Sequence, residues 1–264
     1  MGGHRKTARV RRARLQADRP PRYPDRMAST GDPQHVTIDA DGAVLPLRLR
    51  RHPRARRISL RADARAGAIF LVLPPRASLA AALGFARSQA GWIAKRLSAL
   101  PPPLPFAPGA TLEILGERVA IRHDPAMRGA ARRDGPTLVV GGHPDFVARR
   151  VRDHLRAEAR RALGERALPM ARSVERTIAS LRVADTRSRW GSCARGGRLS
   201  FSWRLVLAPP EILDYVVAHE VAHLVHHDHG PGFWRLVDRL TPHRTHAQGW
   251  LRRHGGGLLR AGPA

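Results

Sequence analysis

One stretch constrains this chain more than any other. Val216 to Trp234 reads VVAHEVAHLVHHDHGPGFW and sets five histidines and one glutamate into an otherwise apolar run. Pro210 suits the first turn of a helix, where no amide donor is needed, and Glu211 and Asp214 follow where carboxylates favour the helix dipole. Gly230 and Pro231 supply a stop, so the sequence predicts a helix from about Pro210 to about Asp228. Within it, His219 and His223 lie ~40° apart around the axis and ~6 Å apart along it, so both imidazoles project from one face. Two imidazoles and a carboxylate on a buried helix face a desolvation penalty of several kcal/mol unless something satisfies them.

A metal ion satisfies them. The His219-Glu220-Val221-Ala222-His223 spacing suits two ligands with a carboxylate placed to act on metal-activated water. His229 follows just beyond the expected helix, where a turn through Gly230, a residue free to take unusual backbone angles, can carry it to the open side of the ion. Three neutral histidines leave a fourth position for water, the arrangement of a catalytic zinc rather than a structural one. The cofactor expectation is therefore a single Zn2+, although imidazole also suits other first-row metals. His226 would sit ~10 Å from His219 along the same helix; it and His227 are expected in supporting or surface roles. His243, His246 and His254 show no ligand spacing and are expected at the surface.

The rest of the chain narrows the class. A single cysteine, Cys193, excludes an intrachain disulfide and a cysteine-rich zinc site, and points to a reducing, cytoplasmic setting. No run approaches the ~18 apolar residues of a membrane helix, and the basic N-terminus lacks the apolar core of a secretory signal. The formal charge of +26 is carried almost wholly by arginine, with lysine only at positions 6 and 95. Abundant Arg, Ala, Gly and Pro together are what a GC-rich coding sequence produces, so the charge alone licenses only non-specific contact with nucleic acid.

The chain divides into three expected parts. Residues 1–35 form a basic tail, rich in arginine and poor in large apolar residues, with too little to bury to offset ordering; Met27 offers an alternative start within it. Residues 36–143 are β-rich, with hairpin signals at Asp41-Gly42 and near Gly67, a helix from Ser78 to Leu100, a stiff linker PPPLPFAPG at Pro101–Gly109, and further strands in TLEILG, ERVAIRH and PTLVVG. The expected helix carries Leu79, Leu83, Phe85, Trp92, Ile93 and Leu97 as apolar positions. Residues 144–264 begin with a long Arg-rich helix from Asp145 to about Ala171, apolar at Phe146, Val147, Val151, Leu155 and Leu163. A strand pair around Gly196-Gly197, the histidine helix and two shorter helices, near Gly232 and from Thr241 to Arg253, complete it. No internal repeat is evident. This order of elements predicts an α+β fold.

The segment SRWGSCARGGRLSFSWRLVLAPPEILDYVVAHEVAHLVHHDHGPGFW, from Ser188 to Trp234, resembles the YgjP-like zinc metallopeptidases, relatives of the SprT-like proteases. It shares the R-W-G-S-C stretch, the W-R-L strand, the H-E-x-x-H helix and the closing F-W, and looser similarity extends upstream through RRISLR and GWIAKRL. Val221, Asp228 and Gly230 replace the usual Leu, Asn and Ser; none of these changes removes a ligand. The resemblance implies a zincin-like metallopeptidase domain, mostly helical with a small sheet. It implies His219, His223 and His229 as zinc ligands and Glu220 as catalytic base, hydrolysing peptide bonds of a protein or peptide substrate. Arg187, Arg189 and Ser192 are candidates to steady the transition state, and a strand near Leu199–Trp203, if at a sheet edge, to pair with substrate. Trp190, Trp203, Tyr215, Phe233 and Trp234 are expected in the core, and Cys193 as a small packed residue. Two other readings stay open: a zinc hydrolase of nucleotide phosphoanhydrides, which the arginines would suit, and a nucleic-acid-associated zinc module acting on DNA-bound protein.

Overall fold

The computed structural model describes residues 34–40 and 42–262. Most of the expected basic tail, and Met27 with it, lies outside the described residues, and the first strand begins at Gln34. The fold is α+β: a strand-rich N-terminal part, then helices around a small sheet.

The strand-rich part contains two four-stranded sheets of identical topology. In the first, β1 (Gln34–Ala40), β2 (Ala43–Arg51), β3 (Ser59–Asp63) and β4 (Ala68–Leu73) lie in the order β1-β2-β4-β3. In the second, β5 (Thr111–Ile114), β6 (Glu117–Asp124), β7 (Ala131–Asp134) and β8 (Thr137–Gly141) lie in the order β5-β6-β8-β7. Both consist of two antiparallel hairpins joined through a parallel central pair, β2 with β4 and β6 with β8. The first hairpin of each sheet turns on a two-residue loop with a glycine at positive φ, Gly42 at 78° and Gly116 at 83°, the backbone that tight hairpins require. The chain thus holds a structural repeat that its sequence does not advertise. The two copies share only turn glycines and alternating apolar positions, and those are compatible with many residues.

Helices follow each sheet. After β4, Ser78 caps α1 (Leu79–Ser88), its hydroxyl accepting from the Ala81 amide at 3.0 Å. The expected single helix is broken at Gln89, which leaves helical geometry, and resumes as α2 (Ala90–Ser98). The break lets Ala82, Ala86 and Ile93 all pack on one face of the first sheet. Of the six expected apolar positions, Ile93 is buried and Leu83 and Leu97 partly so, while Leu79, Phe85 and Trp92 are exposed.

The proline-rich segment after α2 is not a free spacer. Leu104 bridges to Ala261, Phe106 is buried edge-on against Trp203, and Arg260 donates to the Pro101 carbonyl at 2.6 Å. Buried apolar residues form two large clusters among the described residues. The first sheet and α1–α2 have their own core. The second sheet shares a core with the helices and the small sheet that follow it.

The long helix α3 (Val147–Ser173) supplies the spine of the second core through Val147, Val151, Leu155, Ala159, Leu163, Ala167 and Ala171, mostly at helical spacing. Phe146 falls in the preceding 3₁₀ turn and stays 45% exposed beneath Arg149 and Arg150. A three-stranded sheet follows: β9 (Ser180–Ala184), β10 (Gly191–Ala194) and β11 (Arg198–Ser202), in the order β10-β11-β9. Strand β11, considered for substrate pairing if it lay at an edge, is central, paired antiparallel with β10 and parallel with β9. The chain closes with α4 (Pro210–Ala222), α5 (Pro231–Leu240) and α6 (Arg244–Leu259). The last helix runs past its expected end, through Gly255–Gly257. Trp190 fits there because a Cβ on Gly255 would come 3.0 Å from its ring. No helix among the described residues is long and apolar enough to cross a membrane.

Candidate metal centre

Helix α4 is buried almost all round, with Ile212, Leu213, Tyr215, Val216, Val217, Ala218, Val221 and Ala222 in the core, as a helix apolar on every side must be. It ends at Ala222, six residues before the expected end, with His223 as its cap. The Leu224 amide donates to the Val221 carbonyl, and the Val225 and His226 amides to the Ala222 carbonyl, so the chain winds into tight turns and doubles back. That early ending creates the site. Ten residues of continuous helix would carry His229 ~15 Å from His219; instead the two Nε2 atoms lie 3.3 Å apart. Gly230 takes no special backbone angle in this return, since its φ of −71° and ψ of 179° are ordinary extended values.

The ligand atoms of His219, His223 and His229 all fall within 4.8 Å of one another. Phe233, one turn into α5, lies under the three rings with centroids 4.9, 4.5 and 4.7 Å away, and Trp234 stands beside His219 and His229. Tyr215, one turn before His219, packs edge-on to it and accepts from Gln248 at 3.0 Å. These aromatic residues are core, as expected, and are also the wall and floor of the histidine cluster.

The electrostatics suit a cation. Burial, then the neighbouring His223 and His229, pushes the His219 imidazole down to about 3. Burial also lowers His223, against the opposing hydrogen bond to the His226 carbonyl. A carbonyl only accepts, so that 2.9 Å contact fixes the proton of His223 on Nδ1 and leaves Nε2 with a lone pair. His219 Nδ1 is buried with no hydrogen-bond partner among the described residues. Three imidazoles converging in a mostly aromatic pocket, two of them held back from protonation by burial, form a donor set for a divalent metal. Two nitrogens bound to one tetrahedral zinc at ~2.0–2.1 Å are separated by about 3.3 Å, the spacing seen between His219 and His229.

Glu220, the residue after His219, packs its carboxylate against Gly191 of β10. It is 6% exposed. Burial pushes its carboxyl up to about 8, against the pull of Arg189 and a backbone hydrogen bond from Cys193. A Cβ on Gly191 would come 2.5 Å from both Glu220 Cγ and Oε1, so only glycine leaves room for the carboxylate. Cys193 on the same strand face is half-buried, and burial followed by the Glu220 charge pushes its thiol up to about 11. Sequence reasoning passed over Gly191 and Cys193 as site residues; the W-G-S-C stretch was visible, but not what it packs against.

The other candidates are placed as follows. Arg189 is exposed, within electrostatic reach of Glu220. Arg187 is exposed on the same loop. Ser192 lies between Gly191 and Cys193 on a strand, where alternate side chains face opposite ways, so its hydroxyl faces away from Glu220. The loop itself is pinned by the Thr186 hydroxyl donating to the Arg189 carbonyl at 2.6 Å, and by Asp185, which accepts from Arg65, Arg204 and Trp203. His226 serves through its main chain, while His227, His246 and His254 are exposed.

A family model described as the YgjP-like metallopeptidase domain matches residues 56–254. The chain belongs to the YgjP-like family. The match begins just before β3, so β1 and β2 precede it, and it takes in the second sheet, α3, the histidine cluster and most of α6. Searches of curated proteins and of solved structures return no match. A metallopeptidase family implies a metal, and the three converging imidazoles are a group able to hold one.

Proposed function

We propose that this YgjP-like protein is a zinc-dependent peptidase, with His219, His223 and His229 as the zinc ligands and Glu220 as the general base. Zinc held there supplies Lewis acidity and lowers the pKa of water toward ~7. Glu220 is suited to receive a proton and return it to a leaving amine, because burial between α4 and β10 keeps its proton affinity close to neutrality. Gly191 gives the carboxylate its space, and the Cys193 backbone holds it in one orientation. Arg189 supplies positive charge on the same side. Strand β10 lies at the edge of its sheet, and an extended peptide can add to such an edge through main-chain hydrogen bonds, which supports a protein or peptide as substrate. The lone thiol of Cys193 fits a reducing, cytoplasmic setting.

The observation that carries this reading is the pairing of a convergent histidine triad with a buried carboxylate one residue along the same helix. Glu220→Gln tests it. The variant is expected to bind zinc like wild type and to lose hydrolysis of an unfolded protein such as casein. Turnover retained in that variant, or cleavage of nucleoside triphosphates in place of casein by the wild type, overturns the peptidase reading.

A further inference from the structure

The arginines of this chain are not spread evenly. Between Arg48 and Arg61 seven of fourteen residues are arginine and none is acidic, whereas basic residues make up only roughly one in six of the chain overall. The structure gathers this block on one surface. Leu45, Leu47 and Leu49 of β2 and Ile69, Leu71 and Leu73 of β4 face the core beneath α1–α2, so the alternate residues face outward. A row of directly paired residues, His35, Arg48, Phe70 and Arg61, runs across all four strands of that outer face. Arg50 sits two residues along β2 from Arg48, its guanidinium 4.9 Å from the Phe70 ring centre.

The loop between β2 and β3 adds three more. It is held in place rather than left loose: the His52 amide donates to the Leu73 carbonyl at 2.9 Å, the Ala55 amide to the His52 carbonyl at 3.0 Å, and Ala55 packs with Phe70 and Val72. Arg54, Arg56 and Arg57 are thereby displayed, exposed, beside the outer face. Arg51 has a different task, bonding the carbonyls of Pro74, Pro75 and Ala77. Among the described residues no ion pair engages Arg48, Arg54, Arg56 or Arg57. Like charges held this close oppose one another in the folded protein, and a polyanion relieves that repulsion.

We propose that this face of the first sheet, Arg48, Arg50 and Arg61 with the Arg54–Arg57 loop, binds the phosphate backbone of nucleic acid. Guanidinium groups suit phosphate through paired N–H donors. Phe70 is buried under the arginine stems, so it offers no stacking platform and the contact reads no sequence. An anionic membrane fits less well. Of the exposed large apolar residues, Leu79, Phe85 and Trp92 lie on helices covering the opposite face of the sheet, and among the described residues the arginine face offers only Val44 at its end.

The test uses the full chain and a fluorescently labelled, mixed-sequence DNA duplex of about 20 base pairs, titrated across a range of salt concentrations. Arg54→Gln/Arg56→Gln/Arg57→Gln is expected to weaken binding by about tenfold or more near physiological salt and to lower the slope of log K against log salt by roughly 2 to 3. Arg48→Gln alone is expected to lower it by about 1. A control of matched charge on exposed α3 positions, Arg156→Gln/Arg160→Gln/Arg172→Gln, is expected to weaken binding by less than about threefold. The proposal is overturned if the control loses as much affinity as the loop variant. It is equally overturned if polyglutamate or phosphatidylserine vesicles bind more tightly than DNA at the same salt.

Discussion

The ring of His223 donates its Nδ1 proton to the main-chain carbonyl of His226 at 2.9 Å. That bond ties the end of α4 to the turn that returns the chain to the cluster, and it sets which nitrogen of His223 faces the metal. Because the partner is a carbonyl, the His226 side chain is dispensable for it. His226→Ala is therefore expected to keep zinc affinity within about threefold of wild type, while His223→Ala loses far more than the 10–100-fold typical of a supporting group. Competition with a chromophoric chelator measures both. A loss in His226→Ala as large as in His223→Ala contradicts the assignment.

Gly191 faces Glu220 so closely that any side chain collides with the carboxylate. Gly191→Ala is expected to bind zinc normally yet lose about 10²-fold in kcat, the cost of moving a reacting group by ~1 Å, with about 1–3 kcal/mol of stability lost to overpacking. Steady-state kinetics on casein and zinc content of the same preparation separate the two effects. Undiminished kcat contradicts the packing argument.

Phe233 is fully buried beneath three imidazole rings. Removing its ring should cost about 3–5 kcal/mol. Urea unfolding of Phe233→Ala in the presence of chelator reads the packing contribution alone, and a loss under ~1 kcal/mol contradicts it.

Asp185 joins the first sheet to the loop before β10. Burial pushes its carboxyl up, but hydrogen bonds from Arg204 and Arg65 outweigh that and hold it down to about 2, from an ordinary value of 3.8. The folded protein thus binds fewer protons here than the unfolded chain at mildly acidic pH, so the ion pairs stabilise fully above about pH 4 and lose their contribution as pH falls from 4 toward 2. Asp185→Asn is expected to be less stable than wild type at pH 7, with the gap narrowing below pH 4. Urea midpoints across that range check it, and a gap independent of pH contradicts it.

These expectations show where sequence reading succeeds and where it stops. The placement of His219, Glu220 and His223 on one helix and its cap was legible because a helix repeats every 3.6 residues and their spacing matches it. The route that brings His229 back was not, because nothing in LVHHDH marks a helix end and Gly230 turned out to be plain extended chain. The hairpin at Asp41-Gly42 was legible because two-residue turns impose strict backbone angles. The shared topology of the two sheets was hidden, since β pairing across long separations leaves only alternation in the sequence. Gly191 and Gly255 appear as ordinary small residues until their neighbours, Glu220 and Trp190, are seen in contact with them.

The central claim is that His219, His223 and His229 together hold one metal ion. Elemental analysis of the purified, folded protein after dialysis against trace zinc tests it most directly. The account predicts about one zinc per chain, reduced to a small fraction of that in His229→Ala with the fold intact. A well-folded protein that stays metal-free with zinc in excess, or a His229→Ala variant that retains its full complement, would contradict it.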